Sequence, residues 1–317
     1  MKNNAVITGG AGFIASHLAE RIAPFFNKIY LIDNLVRTEN LRNIEHLLKH
    51  DPFRTKFKFI KADISTFDFN KLEDVGVMYH LAATRINRCA NHPEEGHKFI
   101  ADAGFNVVHY CATNNVKMFF ASTASVYNNP KRFPIVETDP CEPHTIYGAG
   151  KYYTENLMRT FAKSHNLQYS ICRFFSVYGV RMDCEGVYTE IIYNWLSSIR
   201  DGNRKVKVFG NPDEKILDLV YVDDVVDAIM LVGGQSFPMT NEAYNVSTET
   251  GVSISELIHT IEKVLGVELE VECVPENRTD IEKKRVGSVD KLRTTGWKAS
   301  HTLENGLLKT WEWITAL

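Results

Sequence analysis

Short runs of β-branched and aromatic residues recur along the first 175 positions, each followed by a stretch whose apolar residues return every three or four places. The runs are NAVIT at 4–8, KIYLID at 28–33, FKFIKAD at 57–63, VMYHLAA at 77–83, VKMFFAS at 116–122 and YSICRFF at 169–175. Their nearly unbroken apolar character suits strands covered on both faces. Helical patterns fall at about 12–23, 40–50, 93–113 and 147–165, each long enough to cross over between neighbouring parallel strands. The pattern predicts an α/β fold built on a doubly wound parallel sheet.

After Tyr178 the order loosens. A segment with Gly186, a helix around 188–200, a strand KVKVF at 205–209 and a return through ILDLVYVDDVVDAIMLV lead to a strand AYNVS at 243–247. SISELIHTIEKVL, VELEVECV and a last helix complete a smaller α/β lobe. No repeat, low-complexity tract or linker separates the parts, so the lobes are expected to interleave. The larger is read as 1–178 with 219–250, and the smaller as 179–218 with 251–317.

Composition narrows the function classes. With 317 residues, 44% of them hydrophobic and 24% charged, the chain can bury a large core. A formal charge of −3 offers no basic face for nucleic acid or an anionic membrane, and neither is expected as a partner. The six cysteines form no C-x-x-C pair, which suits a reducing cytoplasm and leaves no expectation of a metal. No run of eighteen apolar residues suggests a membrane span, and no secretion signal precedes the first strand.

In TGGAGFIAS, Gly9, Gly10 and Gly12 permit a turn that a Cβ would forbid. Such a turn between a strand and a helix brings amide groups to a pyrophosphate at the positive end of the helix dipole. Alone it could be a tight connection. Asp33, about twenty residues on and also ending a strand, is placed to accept both adenosine ribose hydroxyls and to repel a 2′-phosphate, favouring NAD over NADP. A helix cap is the plainer role for Asp33.

Tyr147 and Lys151 in TIYGAGKYYTENL stand one helical turn apart on one face. An ammonium and an oxidised nicotinamide beside a phenol both favour phenolate, lowering its pKa from about 10 and making it a general base. Tyr127 and Lys131 share the spacing, but YNNPK holds Pro130 and two asparagines and reads as a turn.

Taken in order, TGGAGFIASHL, LIDNL, KADIS, HLAA, ASTASVY, YGAGK, RFFSVYG, GVYTE, KVFG, LDLVYVDDV and ENRTD resemble the extended short-chain dehydrogenase/reductase family across essentially the whole chain. The branch is that of nucleotide-sugar epimerases, dehydratases and dehydrogenases, including NDP-sugar 4-epimerases and GDP-heptose 4-dehydrogenases. The resemblance implies a Rossmann sheet and NAD contacts from Gly9, Gly12, Phe13, Ile14, Asp33, Asn34, Leu81, Ala82, Ala83, Tyr147, Lys151 and Phe174. It implies adenine contacts from Asp63 and Ile64. Thr123 would share the sugar hydroxyl with Tyr147, and oxidation at C4 would give a 4-keto sugar. The substrate would be a UDP- or GDP-linked sugar held by Thr84, Arg85, Ser122, Ser125, Ser176, Val187, Tyr188, Val206, Lys207, Phe209 and Arg278. A homodimer through a four-helix bundle of the 93–113 and 147–165 helices is implied as well, although their apolar faces could equally be core.

Departures from the family pattern refine this. Dehydratases carry Asp-Glu after the threonine, where this chain has Ala124 and Ser125, so 4,6-dehydration is not expected. A 4-epimerase or a 4-dehydrogenase remains. Ser176 replaces a usual asparagine and Leu217 a usual arginine, the latter removing a contact worth about 1.5–3 kcal/mol. Diphosphate anchoring then falls to Arg278, Lys207 or their neighbours, although Arg278 could also be a solvated surface charge. His80 and His109 read as core histidines, and Asp223 and Asp224 as carboxylates at a helix N-terminus. A cofactor-binding scaffold without turnover is the non-enzymatic alternative, which the intact Thr123, Tyr147 and Lys151 set speaks against.

Overall fold

The computed structural model of the chain describes residues 3–127, 130–184, 191–234, 239–275 and 283–317. Two compact units share these residues, and both draw on several stretches of chain. The first takes 1–128, 140–173 and 226–244; the second takes 129–139, 174–225 and 245–317.

The strands are β1 (Asn4–Thr8), β2 (Lys28–Asp33), β3 (Phe57–Lys61), β4 (Val75–His80), β5 (Lys117–Thr123), β6 (Tyr169–Phe174), β7 (Ser176–Tyr178), β8 (Lys205–Phe209), β9 (Ile216–Tyr221), β10 (Ala243–Val246), β11 (Gly251–Ser253), β12 (Glu270–Val274) and β13 (Lys284–Arg285). Seven of them form one sheet in the order β10-β6-β5-β4-β1-β2-β3. β1 runs parallel to β2 and β4, β2 to β3, and β4 to β5. The sheet is the expected doubly wound one, with the chain reversing direction of travel at β1, where such sheets bind ligands. AYNV joins it as the seventh strand, against β6.

The principal helices follow from apolar spacing. α1 (Phe13–Ile22) buries Ala15, Leu18, Ala19 and Ile22 on one face, the i, i+3, i+4, i+7 stripe of a helix lying on a sheet. The expected 40–50 and 93–113 helices are interrupted. The former is α2 (Leu41–Glu45) continued by a π-helical turn. Ahead of the latter comes a short helix not foreseen from the sequence, α3 (Ile86–Asn91), and then α4 (Pro93–Gly96), a π-helical turn over His97–Asp102 and α5 (Ala103–Thr113). α6 (Ile146–His165) starts where the Thr145 hydroxyl accepts the Gly148 amide at 3.0 Å and ends at Asn166 in the left-handed conformation.

In the second unit, β9 pairs with β7 and β13 in parallel and with β11 antiparallel, and β8 pairs with β12. The β7–β9 pairing, Ser176 opposite Leu219, draws 174–178 and 219–225 into this unit rather than the larger lobe to which the sequence reading gave them. Asp218, next to Leu217, is fully buried and accepts from the Thr248, Glu249 and Gly287 amides, so it fastens loops. Asp224 likewise accepts from Ser300 and His301.

α5 and α6 meet at Gly104, where an added Cβ would stand 2.3 Å from Thr154 Oγ1. Gly104→Ala is expected to destabilise the protein by about 1–3 kcal/mol through overpacking. Urea denaturation of the variant against the wild type checks this.

Candidate active site

The loop after β1 is shaped for close approach to a ligand. Gly9 has φ of +69°, and a Cβ there would lie 2.8 Å from both the Cα and N of Ala82. Only glycine fits, for reasons of conformation and of space. Ala11 is held at both ends of its peptide: its N–H donates to Asp33 Oδ2 at 3.2 Å, and its carbonyl accepts from Asn43 Nδ2 at 2.9 Å. Gly12 precedes α1 with no side-chain cap, so the first amides of the helix face outward beside Phe13 and Ile14, both half-buried.

Most of the other expected cofactor positions follow strand ends of the first unit, Phe174 being assigned to the second. Asp33 ends β2, and its Oδ1 accepts from Leu35 N at 2.8 Å; burial raises its pKa against the lowering of those amides. Asn34 follows and accepts from the Val36 amide. Burial would raise the pKa of Asp63, but Lys98 at 2.7 Å and Ser65 outweigh it and hold it below the usual range. The Ile64 carbonyl accepts from Asn106. Leu81 and Ala82 donate to Thr8 O and Thr8 Oγ1 at 3.2 and 3.4 Å, and Ala83 is exposed. A bare-backbone cradle, an uncapped helix start and a strand-end carboxylate together fit a dinucleotide.

Thr123 closes β5, its Oγ1 accepting from the Ser125 amide at 3.1 Å. Tyr147 lies in the first turn of α6, and the next residue presses against the same segment: a Cβ on Gly148 would stand 2.4 Å from the Ser125 carbonyl. Tyr147 is half-buried, and Lys151 Nζ lies 6.0 Å from its ring centroid and 4.8 Å from that of Phe120. Lys151 is 2% exposed and donates to the Ala121 carbonyl at 2.8 Å. Burial pushes its pKa down to about 7, against opposing pulls from Cys89 and Glu155.

Not every expectation holds. Ser122, expected to face the sugar, donates instead to Glu155 Oε1 at 2.6 Å, because alternate residues of β5 face opposite sides. Tyr127 is buried and accepts from Arg173 Nη1 at 2.7 Å, while Lys131 is exposed, so the second Y-x-x-x-K spacing makes no catalytic pair. His80 is buried against Thr8 Oγ1 at 2.7 Å, as expected of a core histidine. His109 is not core: α5 turns it outward, stacked on exposed Phe105 at 5.7 Å. Thr84, Arg85 and Ser125 belong to the first unit; Phe174, Ser176, Val206, Lys207 and Phe209 belong to the second. Val206 is buried and Lys207 and Phe209 are exposed, following the alternation of β8. Val187, Tyr188 and Arg278 lie outside the described residues. Glu155 and Arg173 are the members of the centre that sequence reasoning missed, although Tyr147, Lys151 and Glu155 repeat at four-residue spacing on one helix face.

The model of the NAD dependent epimerase/dehydratase family matches residues 5–247. The chain belongs to that family. It is an NAD-dependent enzyme of the extended short-chain dehydrogenase/reductase type, and the scaffold alternative is not favoured. Among relatives, a UDP-glucose 4-epimerase of Mycolicibacterium smegmatis is 30% identical, the alignment covering 98% of this chain and 97% of that protein. A UDP-N-acetylglucosamine 4-epimerase from Methanobrevibacter ruminantium, solved with UDP-N-acetylmuramic acid, superposes with a TM-score of 0.89 at 28% identity, covering 100% of this chain and 99% of that one. A UDP-glucose 4-epimerase from Thermotoga maritima gives 0.87 at 28% identity over 98% of each chain. Among the described residues, no helix is long and apolar enough to cross a membrane, and no group of three His, Cys, Asp or Glu could hold a metal ion.

The buried lysine carries a pH signature. Its folded pKa of about 7 lies below the ordinary 10.5, so below pH 7 the full penalty of burying its charge is present. Between those values the unfolded chain binds the extra proton, and stability rises with pH. Lys151→Met is therefore expected to stabilise the cofactor-free protein most below pH 7, with the gain shrinking toward pH 10. Thermal melts across that range test it.

Proposed function

We propose that the protein is a UDP-sugar 4-epimerase in which Tyr147 is the general base, Thr123 orients the reacting hydroxyl and Lys151 supplies the cation that favours phenolate. The observation that carries this reading is the convergence of β5 and the first turn of α6, with Ala124 and Ser125 in place of an acid pair. Full-length likeness to 4-epimerases supports it. NAD, held by the turn after β1 and by Asp33, would supply a reversible hydride acceptor for C4. Tyr147 removes the C4 hydroxyl proton and gives it back after the ketone has presented its other face. Neither Ala124 nor Ser125 can move a proton for 4,6-elimination.

We assign dinucleotide contacts to Gly9, Gly12, Asp33, Asp63 and Ala82, and sugar-nucleotide contacts within the first unit to Thr84, Arg85 and Ser125. The six free cysteines suit a reducing cytoplasm. We also infer a homodimer. Phe105, Ile146 and Tyr153 are 46%, 40% and 44% exposed on α5 and α6. A ladder of rings, Phe105 to His109 to Phe161 to His165, crosses from one helix to the other with centroid spacings of 5.7, 6.2 and 5.1 Å. A second copy of the same helix pair would cover this face and complete a four-helix bundle.

Incubation with UDP-glucose, UDP-N-acetylglucosamine and UDP-glucuronic acid should interconvert one of them with its C4 epimer without net NADH. Tyr147→Phe should cut that rate by at least about a thousandfold while NAD binding changes little. Accumulating NADH would point instead to a dehydrogenase. For the dimer, Phe105→Glu is expected to halve the mass seen by light scattering.

A further inference from the structure

One turn beyond Lys151, on the same face of α6, lies a buried ion pair. Glu155, one turn after Lys151 on α6, is 0% exposed, and Arg173 on β6 is 2% exposed. Arg173 grips the carboxylate with Nε at 3.0 Å and Nη2 at 2.7 Å. Glu155 also accepts from Ser122 at 2.6 Å and from half-buried Arg159 at 2.8 Å. Arg173 spends its third nitrogen, Nη1, on the Tyr127 phenol. Ser122 immediately precedes Thr123 and Tyr127 follows it one short turn later, and Ala121, whose carbonyl accepts the hydrogen bond from Lys151, immediately precedes Ser122. One carboxylate thus ties α6 to the strand that carries the threonine and the lysine's acceptor.

Its field matters as much as its bonds. From β5, Lys151 meets a neutral carbonyl and the Phe120 ring. From α3 it meets the Cys89 thiol, whose pKa burial pushes up to about 11, leaving it uncharged near neutrality. From β4 it meets His80, which burial and then Lys151 itself keep neutral. On α6 it has Tyr147 one turn before and Glu155 one turn after. Burial works against ionisation of Glu155 as well, but the bonds and charge of Arg173, together with Arg159 and Ser122, hold its carboxyl below the usual range, so it stays an anion. Among the described groups that act on the lysine, Glu155 alone brings a full negative charge at neutral pH.

We propose that Glu155, clamped by Arg173 and Ser122, is a positioning residue for the proton transfer, keeping the Lys151 ammonium charged behind Tyr147. The inference rests on the reading that Tyr147 and Lys151 carry that transfer. Without the carboxylate, Lys151 gives up its proton at lower pH, and Tyr147 must then ionise beside a neutral amine, at higher pH. At acid pH Lys151 stays protonated with or without Glu155, so the defect should be small there and grow as pH rises. A misplaced side chain, by contrast, would lower the rate equally at every pH.

The test uses the full chain loaded with NAD. Glu155→Gln leaves Arg173 uncompensated and could fail to fold; the paired Glu155→Gln, Arg173→Met protein removes both charges and answers the same question. Phenolate absorbance is followed against pH, and the contribution of Tyr147 is isolated by subtracting the matching Tyr147→Phe protein. Tyr147 is expected to titrate about one pH unit higher without Glu155, which is about tenfold less phenolate at pH values where the variant's Lys151 has lost its proton. Epimerisation should approach the wild-type rate at the acid end and fall about tenfold behind toward the alkaline end, with KM unchanged. An unmoved Tyr147 titration, or a deficit independent of pH, overturns the proposal. If the wild type turns over no UDP-sugar, the epimerase reading fails, while the absorbance titration still decides the role of Glu155.

Discussion

An ammonium group withheld from water governs the centre of this enzyme. Burying an isolated charge costs several kcal/mol even after the protein relaxes, so a lysine is kept inside only where surrounding groups offset much of that loss. Lys151 has a carbonyl to donate to, a ring face beneath it and a carboxylate one turn away. Each of these belongs to β5 or α6, and the two elements are accordingly held in register at that level. In the proposed mechanism, the same cation that burdens the cofactor-free protein is the one that favours the phenolate of Tyr147.

Close backbone approach is the second constraint. Where β1 turns into α1, Gly9 leaves its Cα against the peptide of Ala82, bringing the ends of β1 and β4 together. Where α6 starts, Gly148 does the same against the Ser125 carbonyl, and deeper in the helix pair Gly104 does so against Thr154. A methyl group at any of the three would push apart elements whose separation sets the positions of Asp33, Thr123 and Tyr147. Small residues here determine geometry rather than flexibility.

Much of this is legible in the sequence. β-branched runs broken by helical spacing pointed to the parallel sheet, and the glycine turn followed at a fixed interval by Asp33 pointed to one strand-end edge as the expected cofactor site. The Tyr147 and Lys151 turn stood out because its rival at Tyr127 held Pro130 within a turn. What stayed hidden depends on which face a side chain takes after packing. Ser122 was expected at the sugar on the family resemblance alone, yet a strand sends neighbours to opposite sides, and its partner Glu155 lies 33 residues away. His109 looked internal because its neighbours are apolar, but Val108 and Tyr110 face the core while it does not. The π-helical turns at 46–50 and 97–102 left no mark that periodicity could register.

The double tether on Ala11 has a consequence for how the dinucleotide arrives. With its amide on Asp33 and its carbonyl on Asn43, the turn holds its shape by bonds internal to the protein. Ordering that stretch of chain is completed during folding, so little conformational entropy is left to lose when a pyrophosphate docks. Asp33, the carboxylate we propose reads the adenosine ribose, also steadies the turn, so in that proposal recognition of one end of the cofactor and the mould for its middle are mechanically joined.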